Sequence, residues 1–116
     1  MRVLELADEK LQYCGKLLAD LGADVLLIEP PEGAAARRWG PFYQDTPDPN
    51  RSIPFWFYNT SKRSMTLDVA SPSGGELFKR IAADADVVLE AHQPGWMASH
   101  GLGWDTLHAL AYPVDN

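Results

Sequence analysis

Apolar and polar positions fall in blocks along this chain, and the period changes from block to block. Val3-Leu4-Glu5-Leu6 is a short, mainly apolar run suited to a buried strand. Leu11, Cys14, Leu17, Leu18 and Leu21 then recur at the spacing of one helix face, which makes Cys14 a small core residue on that face. Gly22 follows where a residue free to adopt positive φ ends a helix. Val25-Leu26-Leu27-Ile28 is a continuous apolar run of the kind found in strands covered on both sides. Two strands joined by one helix predict a right-handed βαβ unit.

Residues 30–58 follow neither period. Pro30, Pro31, Gly33, Pro41, Pro47, Pro49 and Pro54 interrupt any regular element. Trp39, Phe42, Tyr43, Phe55, Trp56, Phe57 and Tyr58 are too many aromatic rings to leave in water, so the stretch is expected to be a loop packed on the domain or on a partner. The alternation resumes with a strand over Ser64 to Val69. A helix with Ser71 as N-cap and Pro72 in its first turn follows, burying Leu77, Ile81 and Ala82. Asp86 to Glu90 reads as a buried strand and Pro94 to Ser99 as a helical turn. Trp104 to Leu110 reads as a last helix, stopped by Pro113. The fold class is α/β: an open, Rossmann-like, mainly parallel sheet with helices on both faces, in one domain over residues 1–116.

Composition narrows the function classes. With 46% hydrophobic and 22% charged residues the chain is globular, and no apolar run is long enough to span a membrane. The N-terminus lacks a signal-peptide layout, so a cytoplasmic location is expected. A net charge of −6 speaks against nucleic acid as partner. It leaves room for a small polyanion, because Arg37-Arg38, Arg51 and Lys62-Arg63 bunch the basic residues. No Cys/His cluster has metal-ligand spacing, and no GxGxxG, Walker, HExxH or GxSxG sequence is present. Glu29 and Glu90 each end a strand, but nothing in the sequence brings them to one substrate. His100 and His108 read as surface residues.

Four blocks carry a family resemblance. They are Leu17-Leu18-Ala19-Asp20-Leu21-Gly22-Ala23-Asp24-Val25 with Ile28-Glu29-Pro30-Pro31; Asn59-Thr60-Ser61-Lys62-Arg63-Ser64-Met65-Thr66-Leu67-Asp68; Ala85-Asp86-Val87-Val88-Leu89-Glu90; and Pro94-Gly95 with Gly101-Leu102-Gly103-Trp104. In this order and spacing, from Val3 to about Leu110, they resemble the N-terminal portion of class III (CaiB/BaiF, family III) CoA-transferases and the related 2-methylacyl-CoA racemases. The resemblance implies a coenzyme A site. Leu67, Asp68, Val69 and Ala70 would lie along the adenine ring, and Ala91, His92 and Gln93 would flank the same nucleotide. His92 would stack or hydrogen-bond there, and Lys62 and Arg63 would meet phosphate. Coenzyme A or acyl-CoA would be a substrate, with no permanently bound cofactor and no metal.

The departures matter too. Some members carry phosphate-contacting arginines where this chain has Pro30 and Ser99, and Lys10-Leu11-Gln12 replaces the frequent Ala-Gly-Pro. Each lost arginine removes a contact worth about 1.5–3 kcal/mol when desolvated. The opening residues Val3 to Glu9 resemble members with two fused copies of the domain, of which this would be the degenerate one. The family's transferases use an aspartate nucleophile, and its racemases an Asp/His pair, beyond the last block seen here. No aspartate in this chain matches, so no catalytic residue is assigned, the domain is incomplete relative to the family's, and the chain alone is expected to be inactive. It would serve as the CoA-binding portion of a transferase moving CoA between an acyl-CoA and a carboxylic acid, as a non-catalytic interaction module or subunit, or as a portion of a 2-methylacyl-CoA racemase. The family forms interlocked dimers, which implies a homodimer or the remainder of the enzyme as partner.

Overall fold

The structure, a computed structural model, describes residues 1–111. The expected stop at Pro113 lies outside the described residues. Four strands, β1 (Arg2–Leu6), β2 (Asp24–Glu29), β3 (Arg63–Thr66) and β4 (Val87–Leu89), form one sheet in the order β3-β2-β1-β4. All three pairings are parallel, with Leu4 level with Leu26 and Val88, and Glu5 level with Leu27 and Leu89. Helices α1 (Gln12–Asp20), α2 (Ile53–Tyr58), α3 (Pro72–Ala82), α4 (Trp96–Ser99) and α5 (Trp104–Ala111) complete the α/β fold.

Side chains alternate across the strands and build two dissimilar layers. On one face Leu4, Leu6 and Ile28 pack against Phe78 and Ala82 of α3, Met97 of α4, and Leu102. Burying one such side chain as fully as Phe78, which is 0% exposed, contributes about 1.5–3 kcal/mol. On the other face Val3 and Val25 meet Ala19 of α1, while Leu27 meets Ala34, Ala36 and Phe55 of α2. Helices therefore cover both faces. The chain winds from β1 outward to β3, then returns to place β4 on the other side of β1, the reversal at which open α/β sheets bind ligands.

Several expectations need correction. The first helix does not bury its leucine face: Leu17 is 45% and Leu21 85% exposed, Cys14 is exposed, and Gln12, Gly15 and Ala19 face inward. The cause lies beneath the helix. A Cβ at Gly15 would stand 1.7 Å from Glu5 Oε1, so only glycine lets α1 settle over the buried carboxylate. The helix end is as expected: Gly22 has φ +104°, its N–H bonds Ala19 O, and Ala23 N–H reaches back to Leu18 O. In α3, Phe78 takes the inward place expected of Leu77, which is 41% exposed.

Segment 30–58 is packed on the domain but not irregular throughout. It holds two 3-10 turns and α2, in which Pro54 sits in the first turn, where its missing N–H costs no helical bond. Ser52, fully buried, caps α2 by accepting Phe55 N–H, and its hydroxyl lies 2.8 Å from Ala36 O and 2.7 Å from Trp39 O. The strand expected over Ser64 to Val69 spans Arg63–Thr66; Leu67 N–H still bonds Glu29 O at 2.9 Å, and Asp68–Ala70 then turn toward the Ser71 cap of α3.

Candidate functional site

Parallel pairing brings the C-terminal ends of all four strands to one edge of the sheet, and with them the loops after Leu6, Glu29, Thr66 and Leu89. A cavity of about 160 Å³ opens there on the α3–α4 side. Its walls are Leu6 and Ala7, Ile28 and Pro30, the run Leu67–Ala70, and His92 with Trp96. Asp68 shapes the run: its carboxylate accepts Ala70 N–H at 3.1 Å and its carbonyl accepts the Ser71 hydroxyl at 2.8 Å. Glu90 does the same for the opposite wall. Its Oε2 accepts His92 N–H at 2.9 Å and lies 3.1 Å from His92 Nδ1. The imidazole of His92 stacks on Trp96 with centroids 3.8 Å apart and planes 8° from parallel.

Two further cavities adjoin this one. One of about 320 Å³ lies across the strand ends, sharing Ala7 and Pro30. It presents Lys10 and Arg38 but also Asp8, Glu9 and Glu32, so it carries no excess of positive charge. The other, of about 330 Å³, shares Val69 and Ala70 and includes Lys79, Ser99 and His100. Pro30 and Ser99, the positions without the expected arginines, stand in these walls.

The structure brings five of the nine sequence-derived site residues to the first cavity: Leu67, Asp68, Val69, Ala70 and His92. Ala91 and Gln93 flank His92 without entering the wall. Lys62 and Arg63 lie elsewhere, which corrects the expectation that they meet phosphate. The Lys62 side chain is 1% exposed and reaches under α1 to Glu5, itself 0% exposed, with Nζ 2.8 Å from Oε1. Its three N–H groups are directed to Glu5 Oε2 at 3.1 Å, Gln12 O at 3.1 Å and Asn59 Oδ1 at 2.7 Å. Glu5 Oε1 is left with the ionic contact but no hydrogen bond. Burial holds the Glu5 carboxyl above and the Lys62 ammonium below their ordinary values, against the pull of their pairing. Arg63 starts β3 at the far end of the sheet and pairs with Asp24 at 2.8 and 3.0 Å.

The two strand-ending glutamates are also separate. Glu29 binds Arg37 through Nε and Nη2, the latter at 2.9 Å, and accepts Ala34 N–H at 2.9 Å. Burial works to raise its pKa, but the Arg37 and Ala34 hydrogen bonds and the Arg37 charge outweigh it and hold the carboxyl below the usual range. Arg37 also stacks over Phe55 at 4.0 Å, so one guanidinium joins α2 to the Glu29 end of β2. Sequence reasoning missed the cavity residues Leu6, Ala7, Ile28 and Trp96. The first three were findable as strand-end positions, and Trp96 as the residue four beyond His92.

Comparison with known proteins agrees with this architecture. The family described as CoA-transferase family III matches residues 1–113. The succinyl-CoA:(R)-benzylsuccinate CoA-transferase subunit BbsE of Thauera aromatica is 35% identical over 106 residues, covering 91% of this chain and 26% of that protein. The succinyl-CoA–D-citramalate CoA-transferase of Chloroflexus aurantiacus is 41% identical over 112 residues, covering 95% of this chain and 27% of that protein. Among solved structures, a CAIB/BAIF family protein from Brucella suis superposes with a TM-score of 0.84 at 40% identity, over 95% of this chain and 29% of the other. This chain thus spans little more than a quarter of the length of the relatives it matches. With a family match over nearly its whole length and the same parallel sheet, the chain belongs to CoA-transferase family III.

Proposed function

We propose that this chain provides the coenzyme A nucleotide site of a CoA-transferase that moves CoA between an acyl-CoA and a carboxylic acid. The cavity walled by Leu67–Ala70 and His92, at the strand ends where open α/β sheets bind ligands, carries this reading. Carbonyl and N–H groups of the 67–70 run suit the edge of an adenine, and the His92–Trp96 stack gives one wall an aromatic surface. The nucleophile of this reading is an aspartate outside this chain. Its carboxylate attacks the thioester and expels CoA thiolate, and the thiolate then takes the aspartyl group as a thioester and frees the first acid. The acceptor carboxylate then takes over the CoA. The CoA-transferase names of the relatives favour transfer over racemisation. The partner in this reading is a second copy or the rest of an enzyme, supported by exposed Tyr13, Leu17, Trp56 and Phe57 on α1 and α2. A monomer by light scattering at micromolar concentration would count against that partner.

One observation favours a second reading, a non-catalytic interaction module: Lys62 and Arg63 are engaged with Glu5 and Asp24 and leave the cavity short of fixed positive charge. Titration with CoA, followed by backbone chemical shifts, separates the two. Binding at roughly 0.1–1 mM, equivalent to about 4–5.5 kcal/mol, with shifts confined to residues 67–70 and 91–93, is expected for the nucleotide site. Silence of those residues at millimolar CoA would leave the interaction module as the better reading.

A further inference from the structure

The walls of the 160 Å³ cavity hold neither lysine nor arginine, yet a CoA nucleotide brings several phosphate charges. Two imidazoles stand at this edge, beside Lys79 of the adjoining cavity, which is paired with Glu76. His92 lies in the cavity wall, and His100 lies in the adjoining cavity that shares Val69 and Ala70. Both rings stack on Trp96, His92 at 3.8 Å and His100 at 4.0 Å, so one indole holds the pair in register across the two cavities. Their tautomers are set from behind. His92 Nδ1 faces the Glu90 carboxylate at 3.1 Å, and His100 Nδ1 faces the Trp96 carbonyl at 2.8 Å. Both oxygens only accept, and the Ser99 hydroxyl, 3.1 Å from His100 Nδ1, gives its own proton to Trp96 O at 2.7 Å, so each Nδ1 donates and each Nε2 is the basic nitrogen. Among the described residues neither Nε2 has a partner.

We propose that His92 and His100 are the phosphate-recognising groups of this site, binding a nucleotide phosphate through Nε2–H once protonated. The inference rests on the reading that the cavity takes a CoA nucleotide. Arginine would supply the charge at any pH, whereas imidazole changes charge between about pH 5 and 8. Binding of a phosphorylated adenosine therefore tightens as pH falls, because the complex takes up protons that the free protein releases. The charged groups around the pair are Glu90 behind His92, Asp68 in the same wall, and Glu76 beside the His100 cavity, which is paired with Lys79 at 3.1 Å.

Isothermal titration of the 116-residue chain with adenosine 3′,5′-bisphosphate and with adenosine, at about pH 5.5 and 8, tests it. The bisphosphate is expected to bind roughly tenfold more tightly at the lower pH, and adenosine equally within about twofold. The double variant His92→Phe/His100→Phe keeps aromatic rings on Trp96 and should lose the pH response of the bisphosphate, with adenosine titrated alongside to report any change in the cavity wall itself. It also measures the opposing effect of the phosphate's own ionisation near pH 6. His100→Gln alone, at an exposed position, should cut the response from about tenfold to about threefold. A bisphosphate affinity indifferent to pH, an adenosine affinity that moves equally, or a response that survives the double variant would overturn the proposal. If adenosine still binds in those cases, the cavity reading stands without it. If neither ligand binds at either pH, both fall together.

Discussion

The two faces of the sheet solve the same packing problem with different chemistry. Under α3, α4 and α5 the interior is apolar, centred on Phe78, Leu102 and Ile28. Under α1 and α2 two apolar clusters are separated by buried charge: Glu5 with Lys62 beneath α1, and Glu29 with Arg37 at the end of β2. A hydrophobic layer tolerates approximate matching of shape, because its attraction is non-directional. A buried ion pair must satisfy each donor and acceptor or cost several kcal/mol. The charged face is thus the one where single residues decide geometry, and it ties the 59–62 turn and the 30–58 segment to the strand ends beside the candidate site.

The sharpest test of that difference is Lys62→Met. Leaving the Glu5 carboxylate buried without its cation is expected to cost about 3–5 kcal/mol. Chemical denaturation of the double variant Glu5→Leu/Lys62→Met should recover most of that loss, since an apolar pair of similar volume needs no desolvation. A double variant no more stable than Lys62→Met would show that the charges themselves, and not merely their pairing, are needed.

A smaller effect should follow from Gly15→Ala. Alanine favours a helix over glycine by about 1 kcal/mol, but the new Cβ would stand 1.7 Å from Glu5 Oε1 and 2.9 Å from Lys62 Nζ. Neither atom has room to retreat, so α1 must lift, and a net loss of about 1–3 kcal/mol is expected. In the Glu5→Leu/Lys62→Met background the penalty should change, because the atoms it meets have changed. An identical penalty in both backgrounds would detach Gly15 from the ion pair.

The mildest test is acid. The folded carboxyl of Glu29 lies below its unfolded value, so its contribution is complete above the ordinary glutamate range near pH 4.3 and is lost as pH falls through the folded value. Glu5 has the opposite sign: its folded carboxyl is raised, so the folded chain takes up that proton first as pH falls. Hydrogen exchange should therefore show Ala34 N–H, which donates to Glu29, losing protection only below about pH 4, while Phe78 N–H under the apolar face stays protected. Simultaneous loss at both amides would mean global rather than local opening.

Much of the fold could be read from residue order. The runs Val3–Leu6 and Val25–Ile28, the Gly22 stop, and the Ser71-Pro72 start all signal locally, because period, positive φ and capping are properties of neighbours in the chain. The family blocks led to Leu67–Ala70 and His92, five residues that the structure gathers in one cavity wall. Apolar residues at helical spacing do not by themselves set the buried face. In α1 the leucines follow the helix period, yet Gly15 faces inward, because it is the residue that a buried carboxylate beneath the helix requires.

The sequence by itself determined an α/β chain with a parallel βαβ start, membership signals for its family, and which loops close the strand ends. Only the tertiary structure decided where the charges go. Lys62 and Arg63 are adjacent in sequence and looked equivalent, yet one is buried against Glu5 and the other is exposed on Asp24 at the far end of the sheet. The reason is that successive positions in and beside a strand face opposite ways. Whether a cation there meets ligand, solvent or a carboxylate depends on residues 39 to 57 positions away, brought near only when β1, β2 and β3 pair.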